Sequence, residues 1–314
     1  MFRNRFYLRK LIAETICLAG LTVFSGCEKD PQPPTEEIIT VESIGISSSP
    51  IMIGDTDILY VMIYPNNATD KTITLSSTNN NIITIQGSST ITAIDYGNYT
   101  YAKFPISAIA FGKVDIVASV GNKTDTATVQ TFLPPSNNIN GVVIRGLCWA
   151  TRNIDMPGTF AESTIATGML YQWNRKVGWS ATDPLTNSNG ETVTTWNTTV
   201  EEGSVWEIAN DPSPDGWRIP SWEELKQLYD GGNAYATVNG VSGKIFFSED
   251  GTVFLPGVPF IWQDGSVYPY GTYCQYMGEN GGVLWFNSGD TLLTTFNEYS
   301  RYVPYALPIR CVKK

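Results

Sequence analysis

Asp211-Pro212-Ser213-Pro214-Asp215-Gly216-Trp217-Arg218-Ile219-Pro220-Ser221-Trp222-Glu223-Glu224-Leu225-Lys226-Gln227-Leu228-Tyr229-Asp230-Gly231 is the stretch where a chain of β grammar turns into one helix. Ser221 is placed to cap that helix, and Glu224, three residues on, completes a capping box. Trp222, Leu225, Leu228 and Tyr229 recur at helical spacing and give a single apolar stripe, suited to packing on a sheet. Gly231 supplies the stop. Trp217, Arg218 and Pro220 lead into the helix, the indole suited to burial and the guanidinium free to stack or pair.

Outward from this stretch, residues 141–314 are loops rich in Trp, Gly and Asn. Trp149, Tyr171, Trp173 and Trp217 read as core there, because long aliphatic runs are scarce. Residues 38–133 read differently. Short β-branched runs alternate with Gly, Asn, Asp and Ser turns at Ile58 to Tyr64, Thr72 to Leu75, Ile82 to Ile85, Ile91 to Ile94, Val114 to Val120 and Thr126 to Thr131. Strands at that spacing without a helical period predict a β-sandwich. No cysteine lies in this half, so its core alone must hold it. Leu133-Pro134-Pro135-Ser136-Asn137-Asn138 breaks the pattern, which puts a linker at 134–140.

The first half carries Val41-Glu42-Ser43-Ile44, Gly54-Asp55-Thr56, Tyr64-Pro65-Asn66-Asn67-Ala68-Thr69 and Leu75-Ser76-Ser77, and resembles the bacterial group 2 immunoglobulin-like domain. Leu75 stands where that family usually has Trp, and Asp95 to Phe111 is longer than its usual connection. The resemblance implies a spacer or protein-contact module, with polar residues on solvated strand faces.

The second half carries Trp149-Ala150-Thr151-Arg152-Asn153, Pro157-Gly158-Thr159-Phe160, Tyr171-Gln172-Trp173-Asn174-Arg175, the Asp211 to Pro220 block, Phe254-Leu255-Pro256-Gly257 and Ile309-Arg310-Cys311-Val312. In that order they resemble the Fibrobacter succinogenes major paralogous domain, which is related to C-type-lectin and formylglycine-generating folds. The implied fold class is mainly β with two domains: an N-terminal immunoglobulin-like β-sandwich and a C-terminal α+β C-type-lectin-like domain. The formylglycine relatives need a C-terminal cysteine pair, and only Cys311 stands in the last thirty residues. The calcium-binding strings of lectins, Glu-Pro-Asn or Gln-Pro-Asp with Trp-Asn-Asp, do not occur, so no metal or cofactor is expected.

The N-terminus sets the expected address. Arg3, Arg5, Arg9 and Lys10 precede an apolar run from Thr15 to Phe24, the pattern of a signal peptide. Ser25 and Gly26 before Cys27 resemble the lipobox of bacterial lipoproteins, which implies cleavage after residue 26, acylation of Cys27 and a lipidated tether at 27–37. Each buried methylene of an acyl chain contributes about 0.8 kcal/mol, so two or three chains anchor stably where one does not. The acidic residues after Cys27 resemble the surface-export signal of Bacteroidetes lipoproteins. The expected address is therefore the cell envelope, lipid-anchored at the outer membrane with surface exposure; an ordinary secreted protein is the alternative.

Composition narrows function. The net charge is −10. The first 26 residues hold four basic residues and one acidic, so the remainder is three charges more negative, near −13. A surface of that sign repels phosphate backbones, and no nucleic-acid partner is expected. Histidine is absent, which removes the commonest general base and zinc ligand. Glu201 with Glu202 and Glu223 with Glu224 are adjacent carboxylates; neighbours on a helix point about 100° apart, so the second pair reads as cap and surface. No catalytic residue is assigned.

Three cysteines lie in the body, enough for one disulfide and one free thiol. The family of the second half commonly has Cys where Ser213 stands and tends to Trp where Cys274 stands. From that comparison the inferred pairing is Cys148 with Cys311, leaving Cys274 as a buried thiol; Cys274 with Cys311 is the alternative. Asp125-Thr126-Ala127 and Asp290-Thr291-Leu292 resemble Bacteroidetes O-glycosylation sequons.

The expected function is a non-catalytic surface lipoprotein that binds a glycan or a protein. A structural accessory of an envelope or fimbrial assembly is the alternative, and a glycan-acting hydrolase the third. The candidate ligand-binding residues are Trp179, Trp196, Trp262 and Tyr268, because they fall in Gly-, Asn- and Asp-rich stretches instead of strand patterns.

Overall fold

The computed structural model describes residues 37–192, 195–269, 273–287 and 304–314. Cys27 and Asp290-Thr291-Leu292 lie outside them.

Strands of the first half run β1 (Ser43–Ile46), β2 (Ile51–Met52), β3 (Thr56–Tyr64), β4 (Thr72–Ser77), β5 (Ile83–Ile85), β6 (Thr90–Thr92), β7 (Ile94–Asp95), β8 (Thr100–Ala108), β9 (Gly112–Val120) and β10 (Lys123–Phe132). They form two sheets. One is ordered β1-β3-β8-β5 with β7 also on β8, and the other β2-β10-β9-β4-β6. Pairing is antiparallel except between β2 and β10. Alternation builds the core: Leu59, Val61 and Ile63 of β3 and Phe104 and Ile106 of β8 meet Ile73, Leu75, Val114, Ile116 and Val129 of the other sheet.

Two details depart from the sequence reading. Ile91 to Ile94 is not one strand, because the chain changes sheets at Ala93: β6 pairs with β4 and β7 with β8. The long stretch after Asp95 is the nine-residue strand β8, lying between β3 and β5. Pro105 argues against a central strand, since it has no donor for a ladder. Here its carbonyl accepts from Gln86 N–H at 2.8 Å just past the end of β5, so the missing donor faces the short neighbour's frayed end.

The second half holds β11 (Val142–Ile144), β12 (Leu147–Trp149), β13 (Leu170–Gln172), β14 (Gly178–Trp179), a 3-10 turn (Ile208–Asn210), β15 (Trp217–Arg218) and α1 (Trp222–Gly231). After the helix come β16 (Asn233–Val238), β17 (Val241–Ser248), β18 (Gly251–Pro256), β19 (Phe260–Ile261), β20 (Val267–Tyr268), β21 (Tyr273–Met277), β22 (Val283–Asn287), β23 (Ala306–Leu307) and β24 (Val312–Lys313). Strand orders are β11-β12-β24-β15, β14-β13-β23-β19-β20, β16-β17-β18 and β21-β22. The start and end of this half therefore meet, Trp149 opposite Val312.

The helix forms as its caps dictate. Ser221 Oγ accepts from Glu224 N–H at 3.2 Å, and Glu224 Oε2 accepts from Ser221 N–H at 2.8 Å. Gly232, one residue beyond the expected stop, is the C-cap. Leu225 and Leu228 pack with Trp149, Phe246, Val253, Leu255, Tyr276, Leu284 and Phe286.

The sheet β16-β17-β18 is covered on both faces, which is why Ile245-Phe246-Phe247 and Val253-Phe254-Leu255 read as unbroken apolar runs. One face joins the helix; the other, through Ile245, Phe247 and Phe254, takes in Phe132 at the end of the sandwich. Phe132 stacks on Phe247 at 5.1 Å, and Ser136 N–H donates to Thr252 O at 3.0 Å. Residues Ile39–Lys314 are accordingly one compact unit, and the segment after β10 is fastened to the second half.

Candidate functional site

The expected ligand platforms in the second half, the head, fall into two groups. Trp179 is only 8% exposed and packs at 5.0 Å on Trp196, whose Nε1 donates to Pro304 O at 3.1 Å. Both lie with Leu170, Ile261 and Ala306 in a small core, and this corrects the expectation that Trp179 is a surface platform. Trp262 and Tyr268 form an aromatic ledge with Phe260 and Tyr305. Tyr268 stacks on Phe260 at 5.1 Å, and Trp262 lies 5.5 Å from Tyr268 and 4.7 Å from Tyr305. Of the four, Tyr268 alone is an exposed residue.

One carboxylate of each adjacent pair is engaged. Glu224 holds Arg218 through both oxygens, at 2.8 and 2.5 Å, while it caps α1. The Arg218 hydrogen bonds pull its carboxyl below the usual range, and Glu224 in turn raises Arg218. Burial raises the nearby Glu279 carboxyl, against the opposing pull of Arg218. Glu201 pairs with Arg175 at 2.8 Å. No group of three metal-ligating side chains occurs among the described residues.

The disulfide inferred for Cys148 and Cys311 is not made; Cys148, Cys274 and Cys311 are all free. Register explains it. Trp149 stands opposite Val312 and Ala150 N–H donates to Cys311 O, so Cys148 and Cys311 are offset along their strands. Diagonal neighbours sit about 7–8 Å apart, beyond the reach of an unstrained bridge. Cys311 Sγ instead lies 3.4 Å from Ser213 Oγ. Burial pushes the Cys274 and Cys311 thiols up to about 12, so both are inert thiols at neutral pH. Asp125 of the first sequon serves structure, its Oδ2 accepting from Ile46 N–H at 3.0 Å, while Thr126 beside it is exposed.

A different set of aromatics is clustered and exposed, and it lies on the sandwich. The outward positions of β3 are Ile58, Tyr60, Met62 and Tyr64; on β7, across β8 from β3, and on the hairpin after it stand Ile94, Tyr96 and Tyr99. All seven are between 40% and 65% exposed. Register places Lys103 opposite Tyr60 and Tyr101 opposite Met62 and Ile94. Tyr96 stacks on Tyr101 at 4.4 Å, Tyr60 leans on Tyr101 at 5.6 Å, and Lys103 Nζ sits 5.7 and 5.8 Å from the Tyr60 and Tyr101 ring centres. Desolvation among the rings and the Tyr96 hydroxyl raise the Tyr101 phenol.

At one end of this face lies a groove of about 560 Å³, lined by Ile44, Met62, Tyr64, Tyr99 and the neutral polar Ser43, Asn66, Asn98 and Thr100, among others. Asn66 fixes its floor: Nδ2 donates to Gly97 O at 2.8 Å, and its own carbonyl accepts from Thr100 Oγ1 at 2.8 Å. Asp95 Oδ1 takes Gly97 N–H at 2.8 Å and closes the Tyr96-Gly97-Asn98-Tyr99 turn. The signal for this face was in Ile58-Leu59-Tyr60-Val61-Met62-Ile63-Tyr64. It is apolar at every position, where a strand with one wet face carries polar residues at every second one.

No family model matches the chain, and no curated protein matches it. Among solved structures, it is similar to domains 4 and 5 of the S-layer protein SbsC (16% identity, 29% of this chain and 52% of that one, TM-score 0.23). It is also similar to the C-terminal 282-residue fragment of intimin in complex with the translocated intimin receptor's intimin-binding domain (13%, 69% and 63%, TM-score 0.27). A third is the adhesin InvE of Yersinia pseudotuberculosis (12%, 87% and 70%, TM-score 0.27). The chain spans about half of the first SbsC structure and a quarter of the longer ones that follow. At TM-scores this low the likenesses carry no weight for what the chain binds or does.

Proposed function

We propose that the protein is a non-catalytic, lipid-anchored binding protein of the bacterial cell envelope, and that its binding face is the tyrosine-rich outer side of the β1-β3-β8-β5 sheet. One observation carries this reading: seven large apolar side chains stand 40% to 65% exposed on one sheet face and the hairpin beside it. Soluble monomers rarely expose contiguous patches of that kind unless they bind something. Tyrosine supplies rigid, amphipathic contact area at little entropic cost, and Gly97 and Asn98 between the tyrosines give the adaptable polar contacts typical of binding loops. In this reading 38–133 is an immunoglobulin-like domain that does the binding, 134–140 joins it, and 141–314 is a lectin-like domain that braces it.

Anchoring rests on the sequence through Cys27 and is tested by labelled palmitate: Cys27→Ser loses the label and leaves the membrane fraction, and unchanged fractionation contradicts the anchor. The binding face is tested on arrays of glycans and extracellular proteins. Tyr60→Ser/Tyr64→Ser/Tyr99→Ser loses binding with folding intact, whereas Trp262→Ala/Tyr268→Ala keeps it. The reverse pattern moves the site to the head.

A further inference from the structure

We infer that the groove between Tyr64 and Tyr99 takes an uncharged oligosaccharide; this rests on the binding face just proposed and names its ligand. Its lining decides the class. The groove combines two exposed aromatic side chains and Met62 with the polar side chains of Ser43 and Asn98, beside Asn66 and Thr100, whose Nδ2 and hydroxyl are held by Gly97 O and Asn66 O, and no charged side chain lines it. A pyranose ring has the matching two-sided character. Its C–H face, slightly positive, lies on the electron-rich face of an aromatic ring, while its edge hydroxyls exchange hydrogen bonds with amides and hydroxyls.

Charge excludes the anionic alternatives. The chain carries −10, and Lys103, a cation on the aromatic face, is already held over Tyr60 and Tyr101. Sulfated or sialylated chains thus meet a repelling surface with no free cation at the groove. The groove volume falls within the range of about 300–1,000 Å³ for small-ligand sites, which favours a small ligand there; a protein or a second copy on the wider face is read by the sedimentation and array arms of the test. From Tyr64 to Tyr60 the outward row runs four residues, about 13 Å, so rings bound beyond the groove continue along the same face.

The test is calorimetric titration of the full chain with neutral cello-, xylo- and manno-oligosaccharides, beside sulfated and sialylated ones of equal length. Binding of a neutral series, tightening with length and weakened tenfold or more by Tyr64→Ala and by Asn98→Ala with unchanged circular dichroism, is expected. Preference for the anionic series, or no binding across the panel, overturns the inference. Self-association in sedimentation that Tyr64→Ala abolishes, or capture of an array protein sensitive to Tyr64→Ala, also overturns it while leaving the binding face standing. Neutral-glycan binding indifferent to Tyr64→Ala but lost in Trp262→Ala overturns both.

Discussion

In the head, Trp149, Tyr171, Trp173 and Trp217 are 7% exposed or less, each drawn into a core from a two- or three-residue strand or the turn beside it. In the sandwich, Tyr60, Tyr64, Tyr96 and Tyr99 come from regular strands and one tight turn, yet stand 40% or more exposed. These four rings of the head are therefore structural, and these four tyrosines of the sandwich are displayed. The difference follows from what each half has available. Long alternating strands supply the sandwich with Leu, Ile and Val inside, which frees its outer face. The head has short strands, and it fills its centre with large rings and buried polar side chains.

Arg310 shows how far that goes. It is fully buried, with Nε donating to Asn153 Oδ1 at 3.0 Å and Nη1 to Ala150 O at 3.2 Å, while Asn153 Nδ2 spans to Thr167 O at 3.0 Å. Burial lowers its pKa, against the opposing pull of Tyr276. Tyr171 likewise sends its hydroxyl to Asp155 O.

The sharpest way to break the comparison is to remove one ring from each class. Trp149→Ala should cost about 3–5 kcal/mol of unfolding free energy, whereas Tyr60→Ala, which gives up only its contacts with Tyr101 and Lys103, should cost about 0.5–1.5 kcal/mol, both by urea melts. Equal losses would mean that the sandwich tyrosines are core after all. Next in size, Ser213→Cys should close a bridge to Cys311, because the two side chains already meet at 3.4 Å. A bridge across about a hundred residues contributes typically 2–4 kcal/mol. Non-reducing peptide mapping should find the linked peptides, and a Cys148-linked product would contradict the register.

Ser221→Ala should cost about 1 kcal/mol through loss of the cap, read in the same melts, with the Glu224–Arg218 pair left in place. Smallest is the effect of pH at Glu279. Its folded carboxyl is raised by burial, so its ionised form costs stability at neutral pH. Glu279→Gln should melt slightly higher at pH 7, with the gain fading as the pH falls through the ordinary value of 4.5, below which Glu279 is protonated both folded and unfolded. Glu224 has the opposite sign: its stabilisation, present above 4.5, is lost as pH falls through its lowered folded value. A Glu279→Gln gain that grows with acid would contradict the assignment.

How much of this was legible depended on whether the deciding interaction was local. The capping box of Ser221 and Glu224 is three residues long and was readable as it stands. The sandwich strands followed from alternation. The central strand β8 was obscured by Pro105, whose tolerance depends on where β5 ends, a fact of pairing and not of sequence. The cysteines failed to pair for the same kind of reason, a register offset. The tyrosine face was missed because Tyr is also a good strand former, and only the sheet shows which side each residue takes. Trp179 looked exposed because its neighbours are turn residues, but those turns fold it onto Trp196.

The most direct measurement is tyrosine nitration of the folded full chain with peptide mapping. Tyr64, Tyr96 and Tyr99 should be modified first, with Tyr171 and Tyr276, both buried and with phenols raised by that burial, protected until the protein unfolds. Nitration of Tyr171 and Tyr276 at the same rate as Tyr64 and Tyr99, or protection of the latter pair, would contradict a displayed aromatic face on the sandwich.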